Sequence, residues 1–222
     1  MNSSVIANLA IVALPIVFAI TLHEAAHGYV ARHFGDQTAY RLGRISLNPL
    51  RHIDPVGTII VPLVIYFSSA LLGGGGLIFG WAKPVPVNFN ALHHPKRDML
   101  WVAAAGPGAN LVMALGWALI FKLAMAVPEN LFSTPLLTMA AAGVGVNVVL
   151  MVLNLLPILP LDGGRIATSL LPNRFAVRYA RLEPYGFPIL LLLLFTNVLG
   201  VILGPVVNVS EHLIENLFQI QL

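Results

Sequence analysis

Five long apolar stretches are the feature that most constrains how this chain can fold. They cover residues 5–31, 56–79, 99–127, 136–161 and 185–207. A helix of about 20 apolar residues crosses the hydrocarbon layer of a bilayer. Only 9% of the 222 residues are charged, whereas soluble domains carry about 25% charged residues. The sequence therefore predicts an all-α polytopic membrane protein, in which residues 1–222 form a single membrane-embedded domain.

The charged residues predict how these stretches are oriented. Lysine and arginine collect in the loops after the first and fourth stretches and before the third, whereas Glu129 lies between the third and fourth. Because cytoplasmic loops are rich in Lys and Arg, we place the basic loops on the cytoplasmic side of the cell (inner) membrane. The net charge of +3 is then explained by loops that set the orientation in the lipid bilayer, and we expect no nucleic-acid partner.

The second stretch does not fit a simple crossing. Both of its flanks are basic, and Pro62 and the glycines at 73–76 weaken a continuous helix. We predict a re-entrant or hairpin segment over residues 56–88. Its last part contains two prolines and favours extended backbone, which could receive a peptide by strand addition or serve as a plain linker. These residues are Pro84, Val85, Pro86, Val87 and Asn88.

The first stretch contains the motif His23-Glu24-Ala25-Ala26-His27. On a helix the two histidines lie one turn apart on one face, where they can hold one Zn²⁺ while the glutamate takes a proton from water. His23 precedes Arg32 by about 14 Å of helix at about 1.5 Å per residue. Ionisable groups at membrane depth are costly and usually functional. The motif therefore predicts metal-assisted water chemistry within the bilayer.

Asp162 is the best candidate for a third ligand. Catalytic zinc sites usually have three protein ligands and one open position. Most other acids and histidines lie in polar loops, whereas Asp162 ends the fourth apolar stretch, on the side where the first stretch also ends. A turn or helix C-terminal aspartate is the alternative reading. We predict that His23, His27 and Asp162 bind one Zn²⁺ per chain, with Glu24 as the catalytic residue.

Three motifs together resemble those of the site-2 proteases, a family of M50-type intramembrane zinc metalloproteases. They are the His23–His27 motif, Ala105-Gly106-Pro107-x-x-Asn110, and Asn154-x-x-Pro157-x-x-Pro160-Leu161-Asp162-Gly163-Gly164. We find no segment resembling the PDZ or CBS domains of some members, so the resemblance is to a compact form. It implies a three-helix catalytic core from residues 5–31, 99–127 and 136–161, additional C-terminal helices and a small extended or re-entrant β element.

The resemblance also implies roles for individual residues. His23, His27 and Asp162 would bind Zn²⁺, and Glu24 would act first as general base and then as general acid. Asn154 would hold the substrate backbone or the developing oxyanion, and residues 84–88 would bind the substrate. The substrates would be membrane-spanning proteins cut in regulated intramembrane proteolysis.

Two other functions are compatible with intramembrane histidines and acids. A zinc transporter would need a polar path across the membrane, but the outer half offers only Lys122, Glu129 and scattered asparagines. A catalytically silent protein that binds membrane helices would not need Glu24. The sequence favours the protease and leaves the natural substrate and the oligomeric state open.

Overall fold

A computed structural model describes residues 3–61, 64, 82–128, 130 and 132–222, with the backbone alone at 3–10 and 59. Eight α-helices have both ends within the described residues. They are α1 (Ser3–His33), α2 (Thr38–Arg41), α3 (Pro95–Met125), α4 (Ser133–Asn154), α5 (Asp162–Leu170), α6 (Asn173–Ala180), α7 (Glu183–Phe195) and α8 (Val198–Phe218). Short 3₁₀ turns occupy Pro49–Arg51 and Phe89–Ala91, and Pro55–Ile60 forms a π-helical turn.

Four of these helices are long and apolar enough to cross a membrane. They are α1, over Ile11–His33, together with α3, α4 and α8. Their outward faces expose large apolar side chains, for example Val112 on α3 and Val201 on α8. Apolar surface of this extent marks contact with lipid or another partner, so the helices fit the predicted multi-pass membrane protein.

Helices α1, α3 and α4 pack against one another and form the centre of the fold. Small residues line the contact between α3 and α4, including Ala114, Ala118 and Ala140, which are fully buried. Without a hydrophobic force between helices in lipid, association depends on close backbone packing of this kind. An added Cβ at Gly143 would overlap the Trp117 ring, so α4 needs a glycine there.

The predicted β element is wrong for the described residues. Residues 82–88 belong to no helix or strand in the described ranges, and of these residues Asn88 has backbone angles in the extended region. Pro84 and Pro86 have no N–H to donate to a ladder. Of the predicted re-entrant segment, residues 62–63 and 65–81 lie outside the described residues, and the part before them forms the Pro55–Ile60 turn.

The C-terminal apolar stretch is divided between two helices. Instead of one crossing over 185–207, α7 ends at Phe195 and α8 begins at Val198. Between them Asn197 has a left-handed φ of 59°, a conformation that asparagine tolerates better than most residues. Helix α8 continues to Phe218, and Ile214 and Ile220 pack into the cluster formed by α3 and α4.

Candidate metal centre

His23 and His27 lie on the face of α1 that meets α3. Their exposed fractions are 8% and 9%. As their spacing on a helix predicts, the rings are neighbours, and the two Nε2 atoms are 3.2 Å apart.

Asp162 reaches these histidines from the start of α5. Helix α4 ends at Asn154, and α5 begins at Asp162 itself. The carboxylate therefore lies at the positive end of a helix dipole, where a negative charge is favourable, and the alternative of a helix C-terminal aspartate is wrong. The glycines that follow permit this start: an added Cβ at Gly163 would overlap the Leu155 carbonyl, and one at Gly164 would lie 2.6 Å from the Leu159 nitrogen.

The three side chains have the spacing of a tetrahedral zinc site. His23 Nε2 lies 3.2 Å from Asp162 Oδ2, and His27 Nε2 lies 3.4 Å from Asp162 Oδ1. Zinc bonds of about 2.0–2.1 Å in a tetrahedron place ligand atoms about 3.3 Å apart. Among the described residues, these are the side chains that form a potential metal-binding group.

Hydrogen bonds on the far side of each ring leave the Nε2 lone pairs free. His27 Nδ1 lies 2.7 Å from the Val102 carbonyl oxygen, and His23 Nδ1 lies 2.6 Å from Asn110 Oδ1. Both partners accept, so both Nδ1 atoms carry the proton and both Nε2 atoms are acceptors. Asp162 Oδ2 is buried without a hydrogen-bond partner. Three converging acceptors need a cation between them, and two nitrogens with one carboxylate suit Zn²⁺.

Helix α3 faces the two Nε2 atoms at Gly106. An added Cβ there would lie 2.6 Å from His23 Nε2 and still closer to His27 Nε2. The missing side chain therefore keeps open the space in which the two ring nitrogens face each other.

Glu24 lies beside the centre and contacts the segment formed by residues 82–88. Its Oε2 accepts a hydrogen bond of 2.7 Å from the backbone N–H of Val85. Arg44 donates to the carbonyls of Lys83 and Pro84. The Val85 side chain is buried and approaches α1 at Gly28, where an added Cβ would lie 3.2 Å from it. These contacts hold residues 83–85 next to the predicted catalytic carboxylate.

The remaining predicted site residues lie farther along the same elements. The Asn88 N–H donates to buried Asp36 at 2.7 Å, and Pro86 and Val87 are half-buried. The Asn154 amide donates to the Leu150 carbonyl at 2.9 Å, which leaves its second N–H unused by that bond. The structure thus brings His23, His27, Asp162, Glu24 and Val85 together, whereas the Asn154 side chain bonds within its own helix and not to these residues in the described chain.

Reasoning from residue types missed the groups that hold the histidines. Gly106 and Asn110 entered the sequence argument only as parts of a family motif, and the Val102 carbonyl did not enter it. Asn110 and Asn147 are fully buried within apolar helices. An amide at such depth is costly unless it is hydrogen-bonded. The two asparagines in apolar stretches therefore indicated an internal network of hydrogen bonds.

Comparison with known proteins agrees with this chemistry. Residues 120–196 match the model of peptidase family M50. The chain is 38% identical over 208 residues to "Putative zinc metalloprotease YwhC" of Bacillus subtilis (strain 168), covering 92% of this chain and 89% of the relative. It is 31% identical over 185 residues to "Putative zinc metalloprotease Rip2" of Mycolicibacterium smegmatis, covering 83% and 66%. No solved structure matches. The similarity over nearly the whole of both YwhC and this chain shows that the chain belongs to peptidase family M50, the site-2 protease family, and is a zinc metalloprotease.

Proposed function

We propose that this metalloprotease cuts peptide bonds within or near the transmembrane segments of other membrane proteins. The observation that supports this proposal most strongly is the position of the ligand cluster. His23 and His27 lie inside α1, a helix long and apolar enough to cross a membrane. A soluble substrate would gain nothing from a site at that depth, whereas a membrane-spanning substrate arrives through the bilayer.

In this proposal one Zn²⁺ per chain is held by His23, His27 and Asp162. When bound, zinc lowers the pKa of a water ligand to about 7 and polarises a carbonyl oxygen. Glu24 takes the proton from the attacking water and then gives it to the leaving amine. Its position one residue after His23 keeps its carboxylate beside the ligands, and its bond to Val85 fixes one of its two oxygens.

The substrate backbone would be bound by two groups. The second N–H of Asn154 is available to donate to the developing oxyanion, an interaction of about 3 kcal/mol. Residues Pro84–Asn88 would hold the substrate in extended form, because a helical substrate must unwind before its carbonyls can be attacked. Two observations support this role: the segment lies next to Glu24, which accepts a hydrogen bond from the Val85 N–H, and the Val87 N–H has no hydrogen-bond partner among the described residues.

The same proposal sets the location and partners. The basic loops support an active site toward the cytoplasmic side of the cell membrane, because cytoplasmic loops are rich in Lys and Arg. The partners are the lipid bilayer and a transmembrane protein substrate, whose regulated cleavage would release a signalling fragment. We propose no role in nucleic-acid binding.

Cleavage of a single-span substrate by the purified protein in proteoliposomes tests the proposal. We expect cleavage that a zinc chelator abolishes and zinc restores. Glu24→Gln should retain zinc but lose at least about 100-fold in rate, the lower range for a general acid–base residue. Glu211→Gln is the matched control, because it makes the same change on α8, and it should cleave normally. Full activity of Glu24→Gln would remove Glu24 from the mechanism, and zinc flux without cleavage would favour a transporter.

A further inference from the structure

A line of hydrogen bonds runs from the metal centre through two buried asparagines to the backbone of α4. His23 Nδ1 lies 2.6 Å from Asn110 Oδ1. Asn110 Nδ2 donates to Asn147 Oδ1 at 3.0 Å, and Asn147 Nδ2 donates to the Gly143 carbonyl at 2.8 Å. Both asparagines have no exposed surface. The line therefore joins α1, α3 and α4 within the apolar body of the protein.

The Gly143 carbonyl, at the α4 end of this line, determines which group donates and which accepts in every hydrogen bond. The Gly143 carbonyl can only accept, so Asn147 must turn its NH₂ group toward it and its oxygen toward Asn110. Asn110 must then present its NH₂ group to Asn147 and its own oxygen to His23. His23 in turn must keep its proton on Nδ1, which leaves the Nε2 lone pair directed at the metal centre.

We propose that Asn147 is a positioning residue, which orients the metal ligand His23 through Asn110 without touching the metal centre itself. The inference rests on the proposed zinc site and goes beyond it, because Asn147 lies on a different helix from both histidines.

The structure also indicates how much depends on Asn147. The other hydrogen bond that orients the Asn110 NH₂ group goes to the Ala19 carbonyl and measures 3.4 Å, which is long for an N–H···O bond. Without Asn147, that weak bond alone would oppose rotation of the Asn110 amide. A rotated amide would direct an NH₂ group at His23 Nδ1, where it would favour the proton on Nε2 and so remove a metal-binding lone pair.

Zinc affinity, measured by chelator competition on purified protein, tests this inference without relying on proteolysis. Loss of an outer-shell partner of a zinc ligand typically costs about 10–100-fold in affinity. We expect the zinc affinity of Asn110→Leu to fall by an amount in this range. Asn147 is one hydrogen bond farther from His23, so Asn147→Leu should lose about 10-fold, the lower end of the range. Val148→Ala, the neighbouring buried residue of α4, is the control for lost packing and should bind zinc as the unmodified protein does.

A double variant separates positioning from a merely structural role. If Asn147 acts through Asn110, Asn110→Leu/Asn147→Leu should bind zinc no more weakly than Asn110→Leu alone. If the double variant instead lost zinc affinity by the product of the two single losses, the proposal would be overturned. An unchanged zinc affinity in Asn147→Leu would overturn it as well. Failure of the unmodified protein to bind zinc would instead refute the proposed site.

Two further substitutions test the proposal even where Asn147→Leu does not fold. Asn147→Thr can still bond to the Gly143 carbonyl, one turn earlier, but is too short to reach Asn110. It should lose affinity as Asn147→Leu does. Asn147→Asp, when protonated, has one donor and one acceptor in the same places and should bind zinc more tightly than Asn147→Thr does. A higher zinc affinity in Asn147→Thr than in Asn147→Asp would contradict the proposal.

Discussion

Replacing Gly106 with alanine introduces one methyl group at the point where α3 meets the two histidines. Its carbon would lie 2.6 Å from His23 Nε2, whereas ordinary contact begins at 3.4 Å. The ring would have to move by about 0.8 Å, about four times the 0.2 Å tolerance of a metal–ligand distance. The hydrogen bond from Nδ1 to Asn110 opposes that movement.

We therefore expect Gly106→Ala to weaken zinc binding by more than about 100-fold, beyond the usual loss for an outer-shell change. This corresponds to about 2.7 kcal/mol. Gly108→Ala is the matched control, since an added Cβ there meets nothing within 4 Å, and alanine stabilises a helix interior by about 0.5–1 kcal/mol relative to glycine. Chelator competition and thermal unfolding of both variants provide the comparison. Equal zinc affinity in the two variants would refute the close approach of α3 to the ligands.

Two other substitutions test the surroundings of the centre. Asn154→Leu should lower kcat by about 100-fold or more while zinc content stays unchanged, because one oxyanion donor is lost; a normal kcat would exclude that role. Asp36→Asn replaces a carboxylate that accepts from both Thr38 and Asn88 with one acceptor and one donor. It should weaken the attachment of Asn88 to Asp36 by about 1–3 kcal/mol and raise KM without zinc loss. An unchanged KM would show that residues 84–88 do not bind the substrate.

The local geometry of the site was predictable from the sequence, because helix periodicity alone places His23 and His27 on one face. Asp162 could be added from topology, since both apolar stretches end on the same side. Its place at the start of α5 was not predictable. It depends on how closely Gly163 and Gly164 approach the residues that precede them, which is a property of the folded chain.

The partners of the histidines could not be read from the sequence for a different reason. Helices α1, α3 and α4 are apolar on all sides, so the pattern of residues does not show which face meets a neighbour. Asn110 and Asn147 were visible as isolated amides, but their contact across two helices depends on helix rotation. The break at Asn197 was hidden in the same way, because apolar residues continue through α7 and α8.

X-ray absorption at the zinc edge of the loaded protein tests most directly whether His23, His27 and Asp162 hold a common ion. The account predicts two imidazole nitrogens and oxygen ligands at about 2.0–2.2 Å, with one imidazole lost in His27→Ala. A spectrum with one imidazole or none in the unmodified protein, or one that His27→Ala leaves unchanged, would contradict it.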